Sequence, residues 1–120
     1  MKHRDLRDYL QDVLDAIDDI DNFVGNLTYE QFVKDKKTLN AVVRSIEIIG
    51  EASKKLPESI KKKYSELPWR EITGMRDKLI HAYFGIDTET IWKAVKENIP
   101  TLRKSIQKML KDQEKQHRPQ

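Results

Sequence analysis

Arg76-Asp77-Lys78-Leu79-Ile80-His81-Ala82-Tyr83, inside the segment from Pro68 to Phe84, is the stretch on which the fold and function of this chain turn. It holds the only histidine away from the termini and sets Arg76 and Tyr83 among apolar neighbours. At about 100° per residue, Ile72, Met75, Arg76, Leu79, Ile80 and Tyr83 share one side of a helix, with Arg76 at the margin of the apolar stripe. Arg76 and Tyr83 lie about two turns apart, roughly 10 Å along the axis. His81, however, is turned about 140° from Arg76. One straight helix therefore does not aim both at a small target. It must bend, end near His81, or meet a second copy.

Outward from that segment, the pattern stays helical. In residues 5–24, Leu6, Tyr9, Leu10, Val13, Leu14, Ile17, Ile20, Phe23 and Val24 follow the i, i+3, i+4 spacing of a long amphipathic helix. Asp8, Asp12, Asp15 and Asp19 line its far side; carboxylates so arranged point outward in parallel, so they predict a solvated face and no metal site. Gly25-Asn26 predicts the helix end, and Thr28 with Gln31 a capping box for a short turn from Tyr29. A second long helix is expected over about Asp35 to Leu56, with Leu39, Val42, Val43, Ile46, Ile49, Ala52 and Leu56 facing inward. Gly50 in its middle implies a close neighbour, and Ile48, between charges, an exposed interface rim. Pro57 to Ser65 reads as a short basic helix, and Pro68 suits the first turn of the central one. Asp87 is placed to cap the last segment, whose apolar period runs from Ile91 to Leu110. Pro100 predicts a kink there, or two abutting helices. The expected architecture is all-α, an antiparallel bundle of four main helices plus one or two short ones. A single domain over residues 1–114 is followed by a polar, frayed tail at 115–120.

The composition agrees and excludes several chemistries. With 120 residues, 36% charged and 38% hydrophobic, the chain has the size of one domain with a real core. Four glycines and four prolines are too few for a many-stranded β fold. Cysteine is absent, which removes disulfides, thiol catalysis and cysteine-based metal sites. No apolar run is long enough to span a membrane, and Met1-Lys2-His3-Arg4-Asp5 has no signal-peptide character; a reducing, cytoplasmic compartment is expected. The net charge of +3 is uneven: residues 1–30 carry −5 and residues 31–120 carry +8. The basic part suits phosphate backbones, and the acidic first helix suits a basic partner or its own chain.

His-x-x-x-His zinc spacing, glycine-rich phosphate loops and a nucleophile elbow are all missing, so neither metal nor cofactor is expected. His3 and His117 lie in the terminal segments. What remains is Arg76 with His81. Histidine, with a pKa near 6.5, can take a proton from a ribose 2′-hydroxyl or give one to a leaving 5′-oxygen. Arginine matches the charge that grows on phosphate oxygens. Asp77 can orient a donor and Lys78 hold the backbone. At the level of residue types a second reading stands beside this one: Arg76 pairs with Glu47 or Glu51 across the bundle, and His81 is an ordinary helix-end residue.

Arg76-x4-His81-x-Tyr83 on the third major helix of a small all-α domain resembles the HEPN superfamily, and within it the HepT-like toxins. Arg44-Ser45-Ile46-Glu47-Ile48-Ile49-Gly50-Glu51-Ala52 is similar to the second-helix pattern of that family. The resemblance spans essentially the whole chain and implies a homodimer whose two motifs meet in one cleft. That would resolve the angular mismatch between Arg76 and His81. It further implies metal-independent endoribonuclease activity on RNA, with Arg76 and His81 as the catalytic pair and Asp77 as the polar residue after the arginine. The implied partner is a minimal (MntA-like) nucleotidyltransferase antitoxin that adds AMP units to Tyr83; the added phosphates would repel and block RNA. An alternative role is a non-catalytic helical adaptor of a nucleotidyltransferase, in which Arg76 and Tyr83 contact nucleotide.

Overall fold

Short polar side chains decide where the helices begin. The Asp5 carboxylate accepts the backbone N–H of Asp8, and the Asp8 carboxylate accepts that of Asp5, so two otherwise free donors are satisfied reciprocally. Helix α1 then runs from Leu6 to Val24. Gly25 ends it at φ +50°, where a side chain would be strained, and donates its N–H to the Asp21 carbonyl at 2.8 Å. Thr28 and Gln31 form the expected capping box of α2, Tyr29–Lys34. Asp35 accepts the Thr38 N–H and opens α3, Lys36–Lys54. Pro57 precedes α4, Glu58–Lys63, and residues 69–75 are helical, forming α5 as far as it is described.

The computed structural model describes residues 4–75 and 87–117. Within them the chain is all-α, with no strand. After Asp87, helix α6 (Thr88–Lys93), a π-helical turn (Ala94–Asn98) and α7 (Ile99–His117) follow without a break. The kink expected at Pro100 is thus absorbed one turn earlier. Proline has no N–H to donate, and in a regular helix its ring collides with the carbonyl four residues back. The wider turn changes the bonding register there, with the Ile99 N–H reaching the Ala94 carbonyl.

Three helices of 19 residues each, α1, α3 and α7, supply most of the core. Leu10, Val13, Ile17 and Ile20 of α1 meet Val42, Ile46 and Ile49 of α3, and Ile106 and Met109 of α7 belong to the same cluster. Removing each such side chain from water is worth about 1.5–3 kcal/mol. Two assignments of the periodicity change. Phe23 is 42% exposed although it shares the α1 spacing, because the core ends near Val24. Ile48 packs partly buried against the core and is not an exposed rim. Gly50 is buried in α3, as are the hydroxyl-bearing Ser45 and Ser53.

The acidic face of α1 finds a partner within its own chain. Arg103 on α7 reaches Asp18 at 2.5 Å and also pairs with Asp21, tying the two helices together across their solvent edge. Arg4 pairs with Asp12 at 2.7 Å. At the other side, Trp92 of α6 packs edge-on to Tyr29, with centroids 5.8 Å apart, and at 5.2 Å from Phe32. The Tyr29 and Thr88 hydroxyls lie 3.1 Å apart. These contacts fix α2 to the start of α6.

Candidate functional site and its framework

The described residues build the two supports between which the motif segment is strung. Upstream, Trp69 donates its indole N–H to the Tyr64 carbonyl at 3.0 Å, and the Ile72 N–H reaches the Pro68 carbonyl at 2.9 Å. Ile72 is buried and Met75 packs partly buried on the core, so α5 is seated by its apolar side just before Arg76. The Tyr64 hydroxyl donates to the Asp112 carboxylate of α7 at 2.5 Å. Burial, and then this bond to an anion, push the tyrosine up to about 12. The tyrosine is thereby a neutral donor at any physiological pH. Its bond ties the turn before α5 to the far end of α7.

Downstream, the Asp87 carboxylate accepts from the Thr90 hydroxyl at 2.5 Å and from the Thr90 backbone N–H at 3.2 Å. Both bonds favour the ionised form and hold Asp87 below the usual carboxylate range. The chain therefore re-enters the described fold at a fixed helix start.

Arg76, Asp77, Lys78, His81 and Tyr83 themselves lie outside the described residues. So does the pairing of Arg76 with either glutamate. Glu47 and Glu51 sit one turn apart on α3: Glu47 is half-buried and lies 3.6 Å from Arg44, and Glu51 is exposed. The Arg44 bridge stays on one helix, with Arg44 largely exposed, and contributes little to stability.

A groove of about 340 Å³ runs between α5 and the π turn. Ile72, Ile99 and Leu102 form its floor, Met75 belongs to its wall, and Glu71 and Lys93 are among its polar side chains. The sequence offered one sign of it, Pro100 close behind Asn98, but no periodicity points to a cavity. Among the described residues no cluster of three or more acidic or histidine side chains is arranged to hold a metal ion. Nor is any described helix long and apolar enough to cross a membrane.

The family model described as Ribonuclease HepT-like matches residues 13–109, which include α3, α5, the whole motif and most of α7. This chain belongs to the HepT-like ribonuclease family. Curated relatives of the family agree in length as well as in sequence. A protein of Thermococcus cleftensis named "Probable ribonuclease HepT" is 51% identical over 108 residues, 90% of this chain and 98% of that protein. Two Methanocaldococcus jannaschii proteins, each named as a "Putative RNase", are 48% and 46% identical. Those alignments cover 93% and 95% of this chain and 93% and 98% of theirs. No solved structure matches significantly. HepT-like membership places the chain in the HEPN superfamily, and the helical fold described above is consistent with it.

Proposed function

We propose that this HepT-like protein is a metal-independent endoribonuclease in which Arg76 and His81 cleave RNA at a cleft shared by two copies of the chain. The observation that supports this most is the family match over residues 13–109, within which Arg76-x4-His81-x-Tyr83 stands intact.

In this reading His81 takes the proton of a ribose 2′-hydroxyl, and the 2′-oxygen bonds to the adjacent phosphorus. The bond from phosphorus to the 5′-oxygen breaks, and that oxygen leaves with a proton as a hydroxyl. A 2′,3′-cyclic phosphate and a 5′-hydroxyl result, with no change of oxidation state. Arg76 stabilises the charge that builds on the phosphate oxygens. Asp77 orients it and Lys78 holds the neighbouring phosphate. A dimer supplies Arg76 from one copy and His81 from the other, which answers the roughly 140° between them on one helix. The protein then acts as the toxin of a pair whose antitoxin is a minimal nucleotidyltransferase. Transfer of AMP to the Tyr83 hydroxyl from a nucleoside triphosphate, with pyrophosphate leaving, fills the cleft with negative charge and excludes RNA.

The test is cleavage of single-stranded RNA in excess EDTA by wild type, His81→Ala and Arg76→Ala. Wild type should cut and leave cyclic phosphate ends, and each variant should lose at least about 100-fold in rate. Equal cleavage by all three would mean a contaminating nuclease. No cleavage by unmodified wild type would favour the adaptor role.

A further inference from the structure

We propose that the groove between α5 and the π turn is a base-binding subsite, holding one nucleobase of the RNA strand beside the position of cleavage. This rests on the ribonuclease reading for its ligand class and on the groove's own chemistry for its occupant. The floor is apolar, formed by Ile72, Ile99 and Leu102, all at least 94% buried by the fold and yet lining the opening. At about 340 Å³ it lies at the small end of ligand pockets, which run from roughly 300 to 1,000 Å³. It has room for a flat ring system but not for a packed helix.

The polar groups at the groove narrow the choice. Glu71 and Lys93 are both exposed and oppose one another in charge, so the opening has no net attraction for a phosphate. Asn98, also exposed, offers an amide that donates and accepts. A nucleobase answers this set: apolar faces for the floor, donor and acceptor edges for Asn98, Glu71 and Lys93, and no charge of its own. Single-stranded RNA is commonly read in this way, with a base turned out of its stack and held on side-chain surfaces. Met75 adds a polarizable thioether, which packs well on an aromatic ring. It is also the residue directly before Arg76. A base lying against Met75 therefore belongs to a nucleotide close to the one whose phosphate Arg76 contacts.

The π turn explains why the cavity exists. Loosening the helix over Ala94–Asn98 accommodates Pro100 and brings Ala94, Asn98 and Ile99 together on one wall. π turns of this kind recur at functional sites.

The experiment uses uncleavable 2′-O-methyl RNA hexamers, fluorescently labelled, with a single abasic position walked along the strand. Binding is measured in EDTA to wild type, Asn98→Ala and Thr101→Phe. Thr101 is exposed and lines the groove, so a phenyl ring there fills it from the solvent side. Wild type should show one position at which loss of the base weakens binding about tenfold. At that position the loss should cost Thr101→Phe less than twofold, and Asn98→Ala an intermediate amount. Equal sensitivity to the abasic site in all three proteins would overturn the subsite, as would the absence of any sensitive position or of any binding. If Thr101→Phe changes the sedimentation coefficient from dimer to monomer, a second copy occupies the groove and the proposal falls. Because the probes cannot be cut, a base-sensitive position in a wild type that cleaves no RNA would sink the nuclease reading alone.

Discussion

The core of α1, α3 and α7 and the end of the molecule where α5 meets the π turn are built on opposite terms. In the first, apolar side chains from three long helices interlock and leave Ile17, Ile46 and Ile106 with no exposed surface. In the second, a short helix rests on a groove, and the joints are polar: Tyr64 to Asp112 and Trp69 to the Tyr64 carbonyl. Dense apolar packing is insensitive to small displacements of direction, whereas hydrogen bonds between distant segments set direction and position. The core supplies stability; the polar joints aim the segment that carries the motif. A ribonuclease whose chemistry depends on the relative placement of an arginine and a histidine needs both.

The comparison can be broken most directly by cavities. Ile46→Ala, deep between α3 and α1, should cost about 3–4 kcal/mol in urea unfolding. Ile72→Ala, 6% exposed beside the groove, should cost about 2 kcal/mol, since an open neighbour lets the site relax. Equal losses would mean that the two regions are packed alike.

Removing the polar joint should matter next. Tyr64→Phe keeps the ring and deletes the donor to Asp112, for an expected loss of about 1–2 kcal/mol at pH 7. The sign of the pH dependence follows from the raised value. The folded state holds the phenol's proton to about 12 against an ordinary 10, so this contribution is complete below pH 10 and is lost as pH rises toward 12. Wild type should therefore lose stability between pH 10 and 12 more steeply than Tyr64→Phe, by up to roughly 2 kcal/mol. Parallel curves would show that the hydroxyl is not held as described.

The smallest effect is expected at the solvent edge of the core. Arg103→Met should cost about 0.5–1 kcal/mol at low ionic strength and less at high salt, because Asp18 and Asp21 are each more than half exposed. A larger, salt-independent loss would make Arg103 part of the packing and not only a surface clamp.

Much of this was legible in the chain itself. Asp5, Thr28, Asp35 and Asp87 cap helices because their short side chains reach a backbone N–H two or three residues on, an interaction local in sequence. The faces of α1, α3 and α7 followed from a period of 3.6 residues for the same reason. Phe23 and Ile48 show the limit of that signal: spacing tells which side a residue is on, while its exposure depends on where the neighbouring helix stops. The motif was legible as a pattern, Arg76-x4-His81-x-Tyr83, and the family match includes it.

By itself, then, the sequence determined the helices, their caps, most of their buried faces and the family, since each is written in residues a few positions apart or in a linear motif. Only the tertiary structure decided that Arg103 meets Asp18 and Asp21, that Tyr64 bonds Asp112 from 48 positions away, and that Pro100 is accommodated by a π turn that opens a groove beside Met75. Such features join segments far apart in the chain, and packing chooses among many sterically possible partners.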